Sequence, residues 1–270
     1  AEPELWRQPD MAPRHWAFIA ETLAELRADL AALGQPLVIR TGDAVSVLSA
    51  LHDQFGVAAL WSHEETGNAW TWRRDCQVAA WCRARGLPWQ ELRNHGVQRR
   101  LASRDGWARG WDSFMAEPLS AAPALAPLDP HPDPGRLPSA ADLGLAPDGA
   151  AQRQTGGRRA GQERLTSFLH TRGRTYRSAM SSPLEGAEAC SRLSPYLAWG
   201  ALSMRETAQA TWARQAALRA DPPPGVTAWR GALRSFSGRL HWHCHFMQKL
   251  EDAPRIEFQN VHRGYDGVRP

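Results

Sequence analysis

Apolar residues in the first half of the chain alternate between two kinds of spacing. Trp16, Ile19, Leu23, Leu26, Leu30 and Leu33 recur at intervals of three and four, which lines them along one face of a helix. Asp10 and Pro13 suit its start and Gly34 its end. The run PLVIR (Pro36–Arg40) reads as a short buried strand. Asp43 caps a second helix that carries Val47, Leu48, Leu51 and Phe55 and closes at Gly56. VAALW (Val57–Trp61) reads as the next strand. Trp70–Arg85 reads as a third helix, with Val78, Trp81 and Cys82 inward and Gly86 at its end, and LPWQEL (Leu87–Leu92) as a third strand. Strands separated by helices need crossovers, so a parallel sheet is expected. Such folds ordinarily start on a strand, whereas this chain opens on a polar lead into a helix. An N-terminal strand is therefore expected to be missing from the segment.

The pattern then changes. From Glu117 to about Gly157, Pro118, Pro123, Pro127, Pro130, Pro132, Pro134, Pro138 and Pro147 break any periodicity, which marks a long connection. Beyond it only helical spacing recurs. Arg164–Tyr176 is helical, Ser194-Pro195 starts a short helix ending at Gly200, and Ser203 with Glu206 forms a capping box for a helix to about Ala220. Asp221-Pro-Pro-Pro-Gly225 interrupts the chain, and a long helix covers Thr227 to Glu251 with Leu233, Phe236, Leu240, Cys244, Met247 and Leu250 as its apolar stripe. The expected organisation is α/β over residues 1–116, a linker over 117–157 and an all-α unit over 158–270.

Composition narrows the class. No run approaches the roughly 18 apolar residues of a membrane helix, and no signal peptide is visible, so no membrane partner is expected. Four cysteines without a CxxC pair fit a reducing cytoplasm. The net charge of +4 is almost wholly arginine, Lys249 being the single lysine. Arginine forks suit phosphate and nucleotide recognition; a GC-rich genome would produce the same excess. Thirteen tryptophans exceed what packing needs and point to stacking surfaces or electron-transfer aromatics.

Two stretches carry candidate chemistry. In GRLHWHCHF (Gly238–Phe246), residues two apart on a helix point roughly 200° from each other, so His241 and His243 cannot share a metal ion. His241 and His245, one turn apart, could, but a zinc site would need further ligands. Histidines hydrogen-bonded along a pocket or surface are the expectation, with no metal. In CSRLSPYL, a polar turn enters a helix at Pro195. Backbone N–H groups, the hydroxyls of Ser191 and Ser194 and the nearby Arg192 make an anion cradle, or else a helix N-cap.

GGRRAGQERLTSFL, a tyrosine and then CSRLSPYLAWGALS resemble the flavin-binding signature of the photolyase/cryptochrome family. HEETGN…RRD, GVQRRL, a tryptophan-rich stretch and the proline-rich connector are similar to that family's first half, so the resemblance spans nearly all of the chain. It implies a Rossmann-like antenna domain followed by the first part of a helical FAD-binding domain. It implies FAD as cofactor, an antenna chromophore that is a folate or a deazaflavin, DNA carrying pyrimidine lesions as partner, and a monomer in the cytoplasm. Carried over by position, Tyr176, Cys190, Ser191, Arg192, Leu193, Ser194 and Arg239 would contact the flavin, with Arg239 and Trp242 toward DNA. Catalytic residues are not assigned. Cys190 stands where the family commonly has threonine, Ser235 where dimer-repairing members have glutamate, Gly238 where they have a stacking tryptophan, and Met180 where an arginine approaches DNA. Family members continue beyond the position of Pro270, and the groups around the flavin ring and the electron-transfer tryptophans are expected there. The resemblance thus implies light-driven repair of a pyrimidine lesion by reduced FAD, or a cryptochrome-like photoreceptor without repair.

Overall fold

Side-chain caps set the helix starts. Asp43 accepts the Ser46 N–H at 2.8 Å to open α3 (Ala44–Phe55), and Gly56 closes it at φ 66°. Asn68 accepts the N–H groups of Trp70 and Thr71 to open α4 (Ala69–Arg85), and Gly86 follows it at φ 65°. Glycine adopts that left-handed conformation without a Cβ penalty, which is why both helices stop where they do. The computed structural model describes residues 1–127 and 132–268; Pro130 of the expected linker lies outside the described residues.

A single turn, α1 (Pro3–Trp6), and α2 (Pro13–Ala32) precede α3. Strand β1 (Leu60–His63), α4, β2 (Trp89–Leu92) and α5 (Trp107–Ala116) follow it. After the connector come α6 (Arg158–His170), the one-turn α7 (Tyr176–Ala179), α8 (Gly186–Ala189) and α9 (Ser194–Ala198), then α10 (Met204–Ala220) and α11 (Val226–Asp252). The architecture is α/β followed by all-α.

β1 and β2 pair in parallel, from Leu60 opposite Trp89 to His63 opposite Leu92. α4 is the crossover, and its Val78, Trp81 and Cys82 bury against Leu60, Leu87 and Trp89. The expected strand at Pro36–Arg40 does not join the sheet, which is two-stranded among the described residues. Ile39 instead donates its N–H to Pro134 O at 2.8 Å, so the connector takes the pairing that a strand neighbour would have taken. The α2 stripe is buried over only part of its length. Trp16 is in the core, while Leu26 and Leu33 are 42% and 39% exposed. Trp6 and the connector's Leu143 pack against Trp16 of α2, and farther along α2 Arg27 reaches the connector at Pro134 O.

The connector is tied down by named bonds. Trp16 Nε1 donates to Pro138 O at 3.2 Å, Arg27 Nη2 to Pro134 O at 3.1 Å and Arg40 Nη2 to Asp133 O at 2.9 Å. At its far end the Gly156 N–H donates to the Glu21 carboxylate at 2.6 Å and the Gly157 N–H to Thr22 Oγ1 at 2.9 Å.

The largest core belongs to the helical half. Leu233, Phe236, Leu240 and Cys244 of α11 meet Phe168, Tyr196 and Leu202, each fully buried apolar side chain contributing about 1.5–3 kcal/mol. α5, within the 1–116 stretch, sends Trp107, Trp111 and Met115 into this core rather than toward the sheet. The inward line of α11 continues after Cys244 to Gln248, while Met247 and Leu250 are only half-buried. Gln248 is fully buried and satisfied: it accepts from Gln98 N–H at 2.8 Å and Trp107 Nε1 at 3.1 Å, and donates to Gln98 O at 2.9 Å and Asp252 at 2.8 Å. Only half of the Ser203 capping box forms. Ser203 Oγ accepts the Glu206 N–H at 3.0 Å, but the Glu206 carboxylate turns to Arg158 at 3.0 Å and ties α10 to α6. Among the described residues no helix is long and apolar enough to cross a membrane.

Candidate functional site

The bend before α9 has an uncommon backbone. Arg192 takes φ 60°, one of two non-glycine residues at positive φ among the described residues, and Leu193 follows at φ −92°, ψ −9°. A left-handed residue next to a right-handed one turns successive N–H groups toward one side, forming a concave nest for an anion. Among the described residues, the N–H groups of Ser191, Arg192, Leu193 and Ser194 have no hydrogen-bond partner. The Ser191 and Ser194 hydroxyls have none either, and no side chain caps α9. The N-cap alternative for these serines is therefore not what the bend uses them for. Ser191 is half-buried, and Ser194 and Arg192 are exposed. The Leu193 side chain is 1% exposed within the core, so only its backbone faces out.

Three more of the expected residues meet beside the bend. Tyr176 is buried, edge-on to Phe168 with ring centres 5.4 Å apart. Burial raises the phenol pKa, Cys190 adds to the rise, and the positive charge of Arg239 opposes it. Cys190 donates weakly to Met180 O at 3.9 Å. Arg239 is exposed on α11 with its guanidinium 5.1 Å from the Trp242 ring centre, and Trp242 is 53% exposed. Ser235 is half-buried on the same helix, and no heavy atom lies within 4 Å of where a Gly238 Cβ would stand.

A second concavity, about 480 Å³, opens at the carboxyl ends of the two strands. Thr66 and His95 line its polar side; Leu202, Met204 and Met247 line its apolar side. Crevices beyond the carboxyl ends of parallel strands are where open α/β sheets place ligands. The His95 ring is fully engaged: Nδ1 accepts the Val97 N–H at 3.3 Å, which leaves Nε2–H to donate to Thr66 Oγ1 at 2.9 Å. Burial first, then the neighbouring His243 and Arg93, lowers its pKa to about 4. Burial also lowers the pKa of His243, which faces the same space. The other two histidines of the cluster turn elsewhere. His241 Nε2 donates to Asp112 at 2.9 Å, and His245 Nδ1 accepts from Arg104 at 2.6 Å. Among the described residues no three His, Cys, Asp or Glu side chains group as a metal site.

The sequence reading passed over His95, Thr66, Arg172 and Gln154. The first two could have been found from their place just after a strand's end. Arg172 and Gln154 carry no spacing signal; they matter because the fold sets them behind the bend, where their side chains hold its carbonyls.

The family model for DNA photolyase matches residues 1–99. A deoxyribodipyrimidine photo-lyase of Halobacterium salinarum is 29% identical over 263 residues, covering 92% of this chain and 53% of the relative. A cryptochrome DASH of Gloeobacter violaceus is 30% identical over 206 residues, covering 70% of this chain and 41% of the relative. The chain spans about half the length of the curated relatives it matches. Among solved structures, a class III photolyase from Agrobacterium tumefaciens superposes with a TM-score of 0.72 at 18% identity, over 97% of this chain and 55% of that one. An archaeal photolyase from Sulfolobus tokodaii, solved with two FAD molecules, does so at 0.66 and 19%, over 100% of this chain and 56% of that one. At those identities the superpositions speak for the fold. The matched family model and the sequence relatives, taken together, support membership of the photolyase/cryptochrome family.

Proposed function

We propose that this chain is the antenna domain and the first part of the FAD-binding domain of a blue-light-driven DNA photolyase, a lyase acting on pyrimidine lesions in the cytoplasm as a monomer. The observation that supports the reading is the nest at Ser191–Ser194, with N–H groups that no neighbour claims and two free hydroxyls beside them. Such an array suits a diphosphate, and FAD carries one. Reduced FAD, when bound and excited, supplies the electron that opens the lesion.

The chain's own groups hold and orient. The Arg192, Leu193 and Ser194 N–H groups and the serine hydroxyls would donate to phosphate oxygens. Tyr176, its proton kept by burial, would close one wall with Cys190, and Arg239 would add charge at its edge. Cys190 brings a thiol where a threonine would bring a stronger hydroxyl donor. Arg239 and Trp242, stacked and exposed, would face DNA. There an aromatic face and a guanidinium offset the few kcal/mol that flipping a base costs. The 480 Å³ concavity at the strand ends suits the antenna chromophore, a folate or a deazaflavin.

A second reading, a cryptochrome-like photoreceptor, is favoured by Ser235 and Gly238. Neither supplies the carboxylate or stacking ring that the dimer-repairing pattern has at those positions. Irradiating full-length protein with dimer-containing DNA under blue light tests the two. Loss of dimers only in the light is expected. Flavin-loaded protein that leaves dimers intact would remove the repair reading and keep the photoreceptor.

A further inference from the structure

Behind the bend stands an arginine that none of the proposed flavin contacts uses. The Arg172 guanidinium is half-buried over the Phe168 ring, with Cζ 5.6 Å from its centre, and no carboxylate among the described residues pairs with it. All its hydrogen bonds go to main-chain oxygens. Nη1 donates to Glu188 O at 2.9 Å and to Cys190 O, and Nη2 donates to Ser191 O at 2.6 Å and to Arg164 O at 3.2 Å. One residue on, Gln154 Nε2 donates to Arg192 O at 2.7 Å. The carbonyls of three consecutive residues, Cys190, Ser191 and Arg192, are thus each held by a side chain.

The peptide unit is planar and trans, so a carbonyl fixed on one side sends the next residue's N–H to the other. Pinning those carbonyls sets the N–H groups of Ser191 and Arg192 opposite to Arg172 and that of Leu193 opposite to Gln154. The Arg172 cation on the Cys190 and Ser191 carbonyls also polarises those two peptides and strengthens their N–H groups as donors. It helps to offset the cost of a left-handed conformation at Arg192, which a residue with a Cβ adopts only under constraint. We infer that Arg172 and Gln154 are positioning residues which set the bend's amide array for a diphosphate, without touching the ligand themselves. This rests on the reading of the bend as the FAD diphosphate site.

The test is titration of full-length, flavin-free protein with FAD and with riboflavin, which carries the same ring and no phosphate. Arg172→Gln removes the fork and its charge. It is expected to weaken FAD about 10–100-fold, the scale on which groups supporting a site act, and to leave riboflavin affinity at the parent level. Arg172→Lys is expected to recover only part of the loss, because a single ammonium cannot fork to several carbonyls. Gln154→Ala removes one bond at the protein surface, keeps the fold, and is expected to weaken FAD by a smaller factor, again without change for riboflavin. Equal losses for both ligands, or FAD affinity at the parent level in either variant, overturn the inference. Gln154→Ala decides it alone if Arg172→Gln does not fold. Parent protein that binds FAD no better than riboflavin would show instead that the bend does not hold the diphosphate, and both readings would go together.

Discussion

The bend at Ser191–Ser194 and the concavity beside His95 are the two proposed receiving sites, and they are built by opposite means. The bend offers main-chain N–H groups, which do not titrate and whose direction depends on carbonyls held from behind. The concavity offers side chains, and its central histidine is kept neutral by burial and by bonds to both ring nitrogens. A peptide array suits a ligand of fixed negative charge. A half-apolar wall, with a neutral imidazole and the Glu64 and Glu65 carboxylates on its polar side, suits a flat ring system that can donate hydrogen bonds. One chain therefore prepares two receptors that should respond differently to mutation and to pH.

The largest effect is expected at Gln248, fully buried and bonded to Gln98 and Trp107. Gln248→Leu leaves the Gln98 N–H, the Gln98 carbonyl and Trp107 Nε1 without their partner, while Asp252 keeps Arg104, and buried polar groups stripped in this way cost about 1–3 kcal/mol each. Urea unfolding should show a loss of about 3 kcal/mol or more in total. FAD affinity of the surviving fold should be little changed, because the bend lies elsewhere; a selective loss of FAD would erase the distinction drawn above.

Next comes the bend itself. Arg192→Val forces a β-branched residue into the left-handed region at a cost of about 1–3 kcal/mol, or roughly 5–150-fold in FAD affinity. Arg192→Gly removes the side chain but keeps the conformation within reach, and should stay within about fivefold of the parent. Fluorescence quenching of FAD by full-length protein measures both. Similar losses in the two variants would assign the binding to the guanidinium and not to the main chain.

Acid sharpens the contrast. His95 has its folded pKa lowered from 6.5 to about 4, so between those values the unfolded chain takes a proton that the folded chain refuses. The associated stability is intact above pH 6.5 and is lost as pH falls through that window, by up to about 1.4 kcal/mol per pH unit. Urea midpoints from pH 7 to pH 4.5 should fall accordingly, and His95→Asn should flatten the slope. A slope identical in the variant would mean that other groups carry it. The smallest effect belongs to Trp242→Ala. Its ring is largely exposed, so stability should move by no more than about 0.5 kcal/mol, while binding of single-stranded DNA weakens.

What could be read from the sequence follows the range of the forces involved. Asp43, Asn68, Gly56 and Gly86 act on their own helix ends, and the helices start and stop where local rules put them. Asn68 was passed over in the sequence reading, although it sits one residue before α4. The α11 stripe was legible as far as Cys244, while Gln248 was not, since a polar residue joins a core only when distant partners satisfy it. Pro36–Arg40 looked like a strand because apolar runs do not reveal their hydrogen-bond neighbours. Glu206 looked like half of a capping box because nothing local announces Arg158. At the bend the residue types were informative, but an arginine in a left-handed conformation cannot be recognised from its letter. Nor can the clamp that holds it there.

The ties from Glu21 and Thr22 to Gly156 and Gly157 have a wider consequence. They anchor the segment of chain from which Gln154 reaches the bend, so a helix of the first half helps to tension the proposed nucleotide site of the second. A fragment cut at the connector would carry every residue of the flavin signature and still lose that tension. Grafting the helical half onto another light-harvesting module should therefore succeed only when α2 travels with it.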